Sequence, residues 1–407
     1  MRLPQPDPLP PLFTTAGEES FPRRSLRDRH AATLLEVIAQ NRVEEPHRAR
    51  LLAFREECLG GELTDPFADS AAPWDPYLFH PRELADWRRS LAPQVGRSWY
   101  DLPWYFAESF WFLKLLFAFG YYEPSGPHRL QDPFAPFKAR ELTQTGGGLD
   151  AANSLAPLLD PGRPAIETVR ALCLAALWGN RMDLSMQALT REYRGGFLQH
   201  QAHELLIDHS AELAERLLAA RRVDVVLDNA GPELVCDLLL AAFLLGQDPA
   251  RRVALHAKRS PFYVSDARPA DVRATIQALA ADGGPAAPAV RESVRRAGGR
   301  LEVRDLWFWN GPLFFAELPE DLRAELSASD LVLFKGDANY RRLVGDRRWP
   351  AATPLEALTA WFPAPLAVLR TMKSEIVVDI PAERVERLDR EDPDWRTNGR
   401  RGIIRLR

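Results

Sequence analysis

Cysteine is scarce in this sequence: Cys58, Cys173 and Cys236 are the only three among 407 residues, and no two form a CxxC pair. No histidine lies near them at zinc-ligand spacing, and none has a basic neighbour that would activate a thiolate. They read as small buried hydrophobes of a protein kept in a reducing compartment. Long apolar runs are missing too, so no segment is built to span a bilayer. The leading MRLPQPDPLPPLFTT has too many prolines and no apolar stretch, which argues against a signal peptide or anchor. A soluble, cytoplasmic protein without a membrane partner is expected. Nor is there an excess of charge of one sign. With 52 Lys and Arg against 56 Asp and Glu, a net charge of −4 supplies no global field for nucleic acid.

Several familiar motifs are equally absent. There is no GxxxxGK[ST] phosphate loop, no GxSxG elbow, and no GxGxxG after a strand, since the GGG at 146–148 follows a helical region. HELLIDH (203–209) carries histidines six apart, which fall on different helical faces rather than at the i, i+4 spacing of a zinc helix. It reads as a surface amphipathic helix continuing to Ala220.

What remains is an ordinary globular composition, 46% hydrophobic and 27% charged. Residues 1–25 form a proline-rich lead. Apolar spacing of three and four predicts helices over 30–40, 48–59, 81–91, 104–122 and 165–177, with another in SMQALTREYR, and no strand before about 220. Beyond it the pattern changes. Val-rich strands at 223–227 and 253–257 each precede a helix, opened by Pro232 and begun near Pro269. A third unit is LVLFKGDANYRRL (331–343), and further strands are expected at 365–371, SEIVVDI (374–380) and RGIIRL (401–406). ADGGPAAPAV (281–290) reads as an exposed loop. The expected fold is α/β, a largely parallel, Rossmann-like sheet sandwiched by helices over 221–407, with an all-helical lobe over 26–220.

Ligands of open α/β sheets collect at the carboxyl ends of the strands. There the sequence places Asp228 and Asn229, then Ser265 and Asp266, then Lys335, Asp337, Asn339 and Arg341, and finally Arg370 and Lys373. The first two corners offer hard oxygen ligands suited to Mg²⁺ or Mn²⁺, and the last two offer cations and a helix N-terminus suited to phosphate. Each group also has a plainer reading. Asp-Asn after a strand makes Asx turns and helix caps, Asp266 stands three residues ahead of a helix-opening proline, and lysines and arginines cover solvated faces. Their position at equivalent strand ends favours a shared site. Glu108, a carboxylate within WYFAESFWF, either points to solvent or is paired inside the core.

LPWYFAESFWF, LWGNRMDLSM, LDNAGPELVCDLLL, FYVSDARPADV, SDLVLFKGDANYRRLVGD and VLRTMKSEIVV, in that order, resemble the signature segments of the damage-control phosphatases. The likeness is to the branch that also carries the name acidic-residue methyltransferase-like. It implies a divalent-metal-dependent phosphatase, with Mn²⁺, Co²⁺, Ni²⁺ or Mg²⁺ as activator, acting on small phosphorylated metabolites such as fructose 1-phosphate. By this resemblance Asp228, Asn229 and Asp266 are metal ligands. Lys335 stabilises the phosphoryl oxygens, and Asp337 accepts a proton or positions water. Asn339, Arg341, Arg370 and Lys373, with Glu108, Asn180 and Asp183 from the helical region, bind substrate. Pro232 after DNAG and Ser374-Glu375 after LRTMK depart from the family pattern but spare the ligand positions. The rival readings are a carboxyl methyltransferase using S-adenosylmethionine, disfavoured by the missing glycine-rich loop, and a non-catalytic sugar-phosphate-binding protein.

Overall fold

A computed structural model describes residues 8–68, 72–179 and 204–407. Seven strands form one sheet in the order β1 (Leu205–Asp208), β7 (Gly402–Leu406), β6 (Leu366–Thr371), β5 (Leu331–Lys335), β2 (Arg222–Val226), β3 (Arg252–His256), β4 (Leu301–Arg304). Every neighbouring pair is parallel except β6 with β7. The inner strands β2, β3, β5 and β6 are rich in Val and Leu and buried on both faces, as a parallel sheet covered by helices requires.

Alternation of side chains sorts the core into two layers. From β5, Val332 and Phe334 join one layer with the aromatic helix Trp104–Phe119, whereas Leu331 and Leu333 join the other with the helices Ala165–Trp178 and Pro232–Gln247. The aromatic helix is buried on every side, which explains why its sequence shows no polar face.

Four expectations are corrected. The segment 203–209 is not a surface helix: Leu205–Asp208 is strand β1, and the helix begins at Ser210 and ends at Ala219. The region expected to be all-helical therefore contributes a strand to the sheet. SEIVVDI forms no strand, although Ile376, Val377, Val378 and Ile380 are buried, so its hydrophobicity reflects packing of a loop. The Gly/Pro-rich 281–290 is only partly a loop, because a helix starts at Ala287 with Pro288 in its first turn. Strand β4 was not foreseen; it is a four-residue edge strand with no fully buried position. SMQALTREYR lies outside the described residues. Among the described residues no helix is long and apolar enough to cross a membrane.

The strand order reverses at β2, which is flanked by β3 on one side and β5 on the other. The crevice above such a reversal is where open α/β sheets bind ligands. Asp228 and Asn229 follow β2 and Asp337 follows β5, so the topology alone brings them to this point.

Candidate active site

The loops after β2 and β3 are zipped together by main-chain bonds. Ala267 N–H donates to the Asp228 carbonyl at 2.7 Å, Ala230 N–H donates to the Ser265 carbonyl at 2.6 Å, and Asn229 bridges Asp266. Lys138 fastens this loop from the helix Ala135–Thr143, donating to the Asp266 carbonyl at 2.8 Å and to Asp132 and Asp271 at 2.9 Å each. Tyr263 and Val264 adopt φ of 43° and 61°, a region costly for a β-branched residue, immediately before Ser265 and Asp266. Strain of this kind persists only where the surroundings hold it, and here it aims the Asp266 side chain into the crevice.

Asp228, Asn229 and Asp266 are all buried, and all three line a cavity of about 430 Å³. That volume matches pockets for small molecules, ~300–1,000 Å³. Asn229 Nδ2 donates to Asp228 Oδ2 at 2.6 Å and to Glu233 Oε2 at 3.0 Å, while its Oδ1 accepts from Ser265. Burial, then the charges of Glu233 and Asp266, pushes the Asp228 carboxyl well above the usual carboxylate range. Burial likewise raises Asp266 to about 6, against the pull of Lys258 and Lys138. Lys258 Nζ stands 3.5 Å from Asp266 Oδ2, too long for a good hydrogen bond, and that oxygen has no other partner. Two crowded, under-compensated acids and an amide are a donor set that a divalent cation would satisfy. Among the described residues no three His, Cys, Asp or Glu side chains converge as a ready metal cage; this set has two such groups plus the Asn229 amide oxygen.

The Lys335-Gly336-Asp337 corner separates three roles. Lys335 continues the face of Leu331 and Leu333 and points away from the cavity. Its Nζ donates to Glu233 Oε1 at 2.9 Å, Asp237 Oδ1 at 2.8 Å and the Ala176 carbonyl at 2.9 Å. Burial alone would lower its pKa, but the Asp237 and Glu233 charges more than offset this and raise it. Its ammonium is saturated by the interior, so the role of contacting phosphoryl oxygens is not what this geometry offers. Gly336 has φ of 81°, and a Cβ there would lie 2.0 Å from Asp228 Oδ2. Only glycine turns the chain here and leaves room for that carboxylate. Asp337 does line the cavity; its Oδ1 accepts from Arg370 Nε at 2.6 Å and from Ser374 Oγ at 3.1 Å. Burial would raise its pKa, but Arg370 and Arg341 hold it below the usual range.

The remaining residues divide in the same way. Asn339 is an interior clamp, donating to the carbonyls of Leu227 at 3.0 Å and Lys335 at 2.8 Å and so tying β2 to β5. Arg370 is spent on Asp337, Ser374 and the Ile376 carbonyl and does not face the cavity. Arg341 lines it, yet is gripped by Asp346 at 2.9 and 3.0 Å and by Glu108 Oε2. Glu108 is buried and paired, which decides between its two readings. Lys373 is exposed, lines the cavity, and has no carboxylate partner among the described residues. Asn180 and Asp183 lie outside the described residues.

Sequence reasoning missed Lys258, Lys138, Glu233 and Asp237, together with Arg29 and His30, which reach the cavity from the N-terminal helical segment. Lys258 had a signal, since it follows β3 as Asp228 follows β2. Glu233 and Asp237 stand at i, i+4 on one helix, and Glu233 faces the corner through Asn229 and Lys335.

A mostly parallel α/β sheet thus carries a buried acid and amide cluster at its switch point, in one cavity with a lysine that has no carboxylate partner among the described residues. Comparison with known proteins adds to this. A family model, the damage-control phosphatase ARMT1-like domain, matches residues 23–388. The damage-control phosphatase ARMT1 of Danio rerio is 32% identical over 373 residues, covering 84% of this chain and 80% of that protein. Its counterpart in Mus musculus is 30% identical over 441 residues, covering 97% and 98%. A crystal structure of a DUF89 family protein from Pyrococcus horikoshii superposes with a TM-score of 0.46 at 15% identity, covering 89% of this chain and 94% of that one. The chain belongs to the ARMT1-like damage-control phosphatase family.

Proposed function

We propose that the protein is a divalent-metal-dependent phosphomonoesterase acting on small phosphorylated metabolites, sugar phosphates such as fructose 1-phosphate among them. The observation that carries this reading is the meeting, in one cavity, of the under-compensated Asp228 and Asp266 with Lys373, which has no carboxylate partner among the described residues. Family membership supports the same reaction class.

Asp228, Asn229 and Asp266 would hold the metal. When bound, a divalent cation such as Mn²⁺, Co²⁺, Ni²⁺ or Mg²⁺ neutralises charge on the phosphoryl group and makes water a better nucleophile. Lys373 supplies the compensating positive charge for a phosphate that arrives as an anion. Asp337, kept ionised by Arg370 and Arg341, is suited to orient the attacking water. Its lowered pKa makes it a weak proton acceptor, since an effective general base titrates near the working pH. The oxygen of water forms a bond to phosphorus as the bond from phosphorus to the ester oxygen breaks; the water gives up one proton to solvent, and the departing alkoxide takes one from solvent to leave as the alcohol. Arg341 and Glu108 hold the far wall rigid.

The test is phosphate release from sugar phosphates and an aryl phosphate by chelator-stripped protein reloaded with each of the four metals. Turnover restored by metal is the expected outcome. Silence with every ester and metal overturns the reading and returns the methyl-transfer and binding-protein alternatives.

A further inference from the structure

His30 is a cavity residue whose chemistry the phosphatase reading does not use. It closes a six-residue π turn, Ser25–His30, that runs directly into the helix Ala31–Asn41. Such wide turns recur at functional sites. The ring is only 2% exposed, yet it borders the cavity that holds Asp228 and Asp266.

Its two nitrogens have different fates. Nδ1 lies 2.8 Å from the Ser25 carbonyl oxygen, which can only accept, so Nδ1 carries the proton. Burial, assisted by the positive charges of Arg29 and Arg341, pushes the ring's pKa down to about 3, and the imidazole is therefore neutral. Nε2 is then a bare lone pair. Among the described residues it is buried without a hydrogen-bond partner, and Glu108 Oε1, a second acceptor, stands 3.8 Å away. Two acceptors side by side cannot satisfy each other, and a buried acceptor left unmade is costly. The ring cannot turn away, because it stands edge-on against Trp111 at 4.6 Å and beside Phe112 and Trp104. Arg29 Nη2 donates to Glu108 Oε1 at 3.3 Å and so fixes that carboxylate.

We propose that His30 Nε2 reads a hydroxyl on the non-phosphoryl end of the substrate, making His30 a specificity residue for polyhydroxylated phosphomonoesters. This rests on the phosphatase reading of the same cavity. A hydroxyl donates to Nε2 while its oxygen remains open to a donor. An ester without that hydroxyl leaves Nε2 unpaired, and a site built in this way discriminates strongly against it.

The experiment compares sugar phosphates with their singly deoxygenated analogues in the metal-reloaded full chain. In the native protein one deoxygenation lowers kcat/KM by about ten- to a hundredfold. In His30→Phe, which keeps a ring against Trp111, that same deoxygenation changes kcat/KM by less than about threefold. A penalty that persists in folded His30→Phe overturns the proposal. A second readout needs neither a variant nor turnover: the ¹⁵N resonance of the His30 Nε2 in the native protein is followed as sugar phosphate or inorganic phosphate is added. Upfield movement with sugar phosphate alone is expected; no movement, or no binding, overturns the assignment. Should no ester be hydrolysed while this resonance still moves, the phosphatase reading fails and the hydroxyl site stands.

Discussion

The cavity has two walls, and they treat charge in opposite ways. On the β2 and β3 side, Asp228 and Asp266 are buried close to Glu233 with too few cations, and both are pushed upward in pKa. On the β5 and β6 side nearly every charge is cancelled: Lys335 by Glu233 and Asp237, Arg370 by Asp337, and Arg341 by Asp346 and Glu108. A buried charge that the interior neutralises is scaffold, because breaking the pair strands its partner. A buried charge left uncompensated is a site waiting for a ligand. Lys373 is the exception on the second wall: it is exposed, lines the cavity and has no carboxylate partner among the described residues.

The contrast breaks first at Lys335. Lys335→Met is expected to lower stability by about 3–5 kcal/mol, since Glu233 and Asp237 would be left buried without their cation. Urea denaturation reads this directly. A variant of native stability whose defect lies only in kcat would return Lys335 to the chemistry. On the opposite wall, Asp228→Asn should reduce metal-restored phosphate release by at least about a hundredfold. The same change removes a buried repulsion, so the chelated protein should melt at or above the native temperature. Near-normal turnover would sink the ligand assignment.

Lys373→Ala should lower kcat/KM for phosphate esters by roughly tenfold to a hundredfold, the worth of one charge-assisted hydrogen bond, with thermal stability unchanged. An equal loss of stability would mean that the residue is structural after all. The smallest effect is in protons. In the metal-free protein Asp228 and Asp266 hold protons above the usual carboxylate range, whereas ligation requires their ionised forms. Metal loading near pH 6 should therefore release protons, and affinity should fall as pH drops. Calorimetry in buffers of different ionisation enthalpy detects this, and metal uptake without proton release would contradict the raised pKa values.

The legible parts of the fold are those whose signal is local. The helix over 81–91 and, to within one residue, the strand starts at 222, 252, 331 and 366 follow from periodicity and from proline at helix starts. The two strands that escaped, Leu205–Asp208 and Leu301–Arg304, are four-residue edge strands in mixed sequence, and such short segments become strands only when a neighbour accepts their hydrogen bonds. SEIVVDI shows the converse: β-branched residues buried in a loop mimic a strand. Lys335 is the most instructive position. Its place two residues beyond Leu333 put it on the buried face by simple alternation, a signal present in the sequence but outweighed by its position at the strand end.

The amino-acid sequence by itself determined the α/β plan, the strand ends at which Asp228, Asp266 and Asp337 emerge, and the glycine that lets the corner at 336 close over Asp228. These depend on spacing along the chain. Which charges are cancelled, why Lys373 stands alone, and how His30 reaches a cavity almost two hundred residues away from Asp228 along the chain were decided only by the tertiary structure. Pairing and burial are properties of distance in space, and residues far apart in sequence become electrostatic neighbours only once the sheet and its helices have packed.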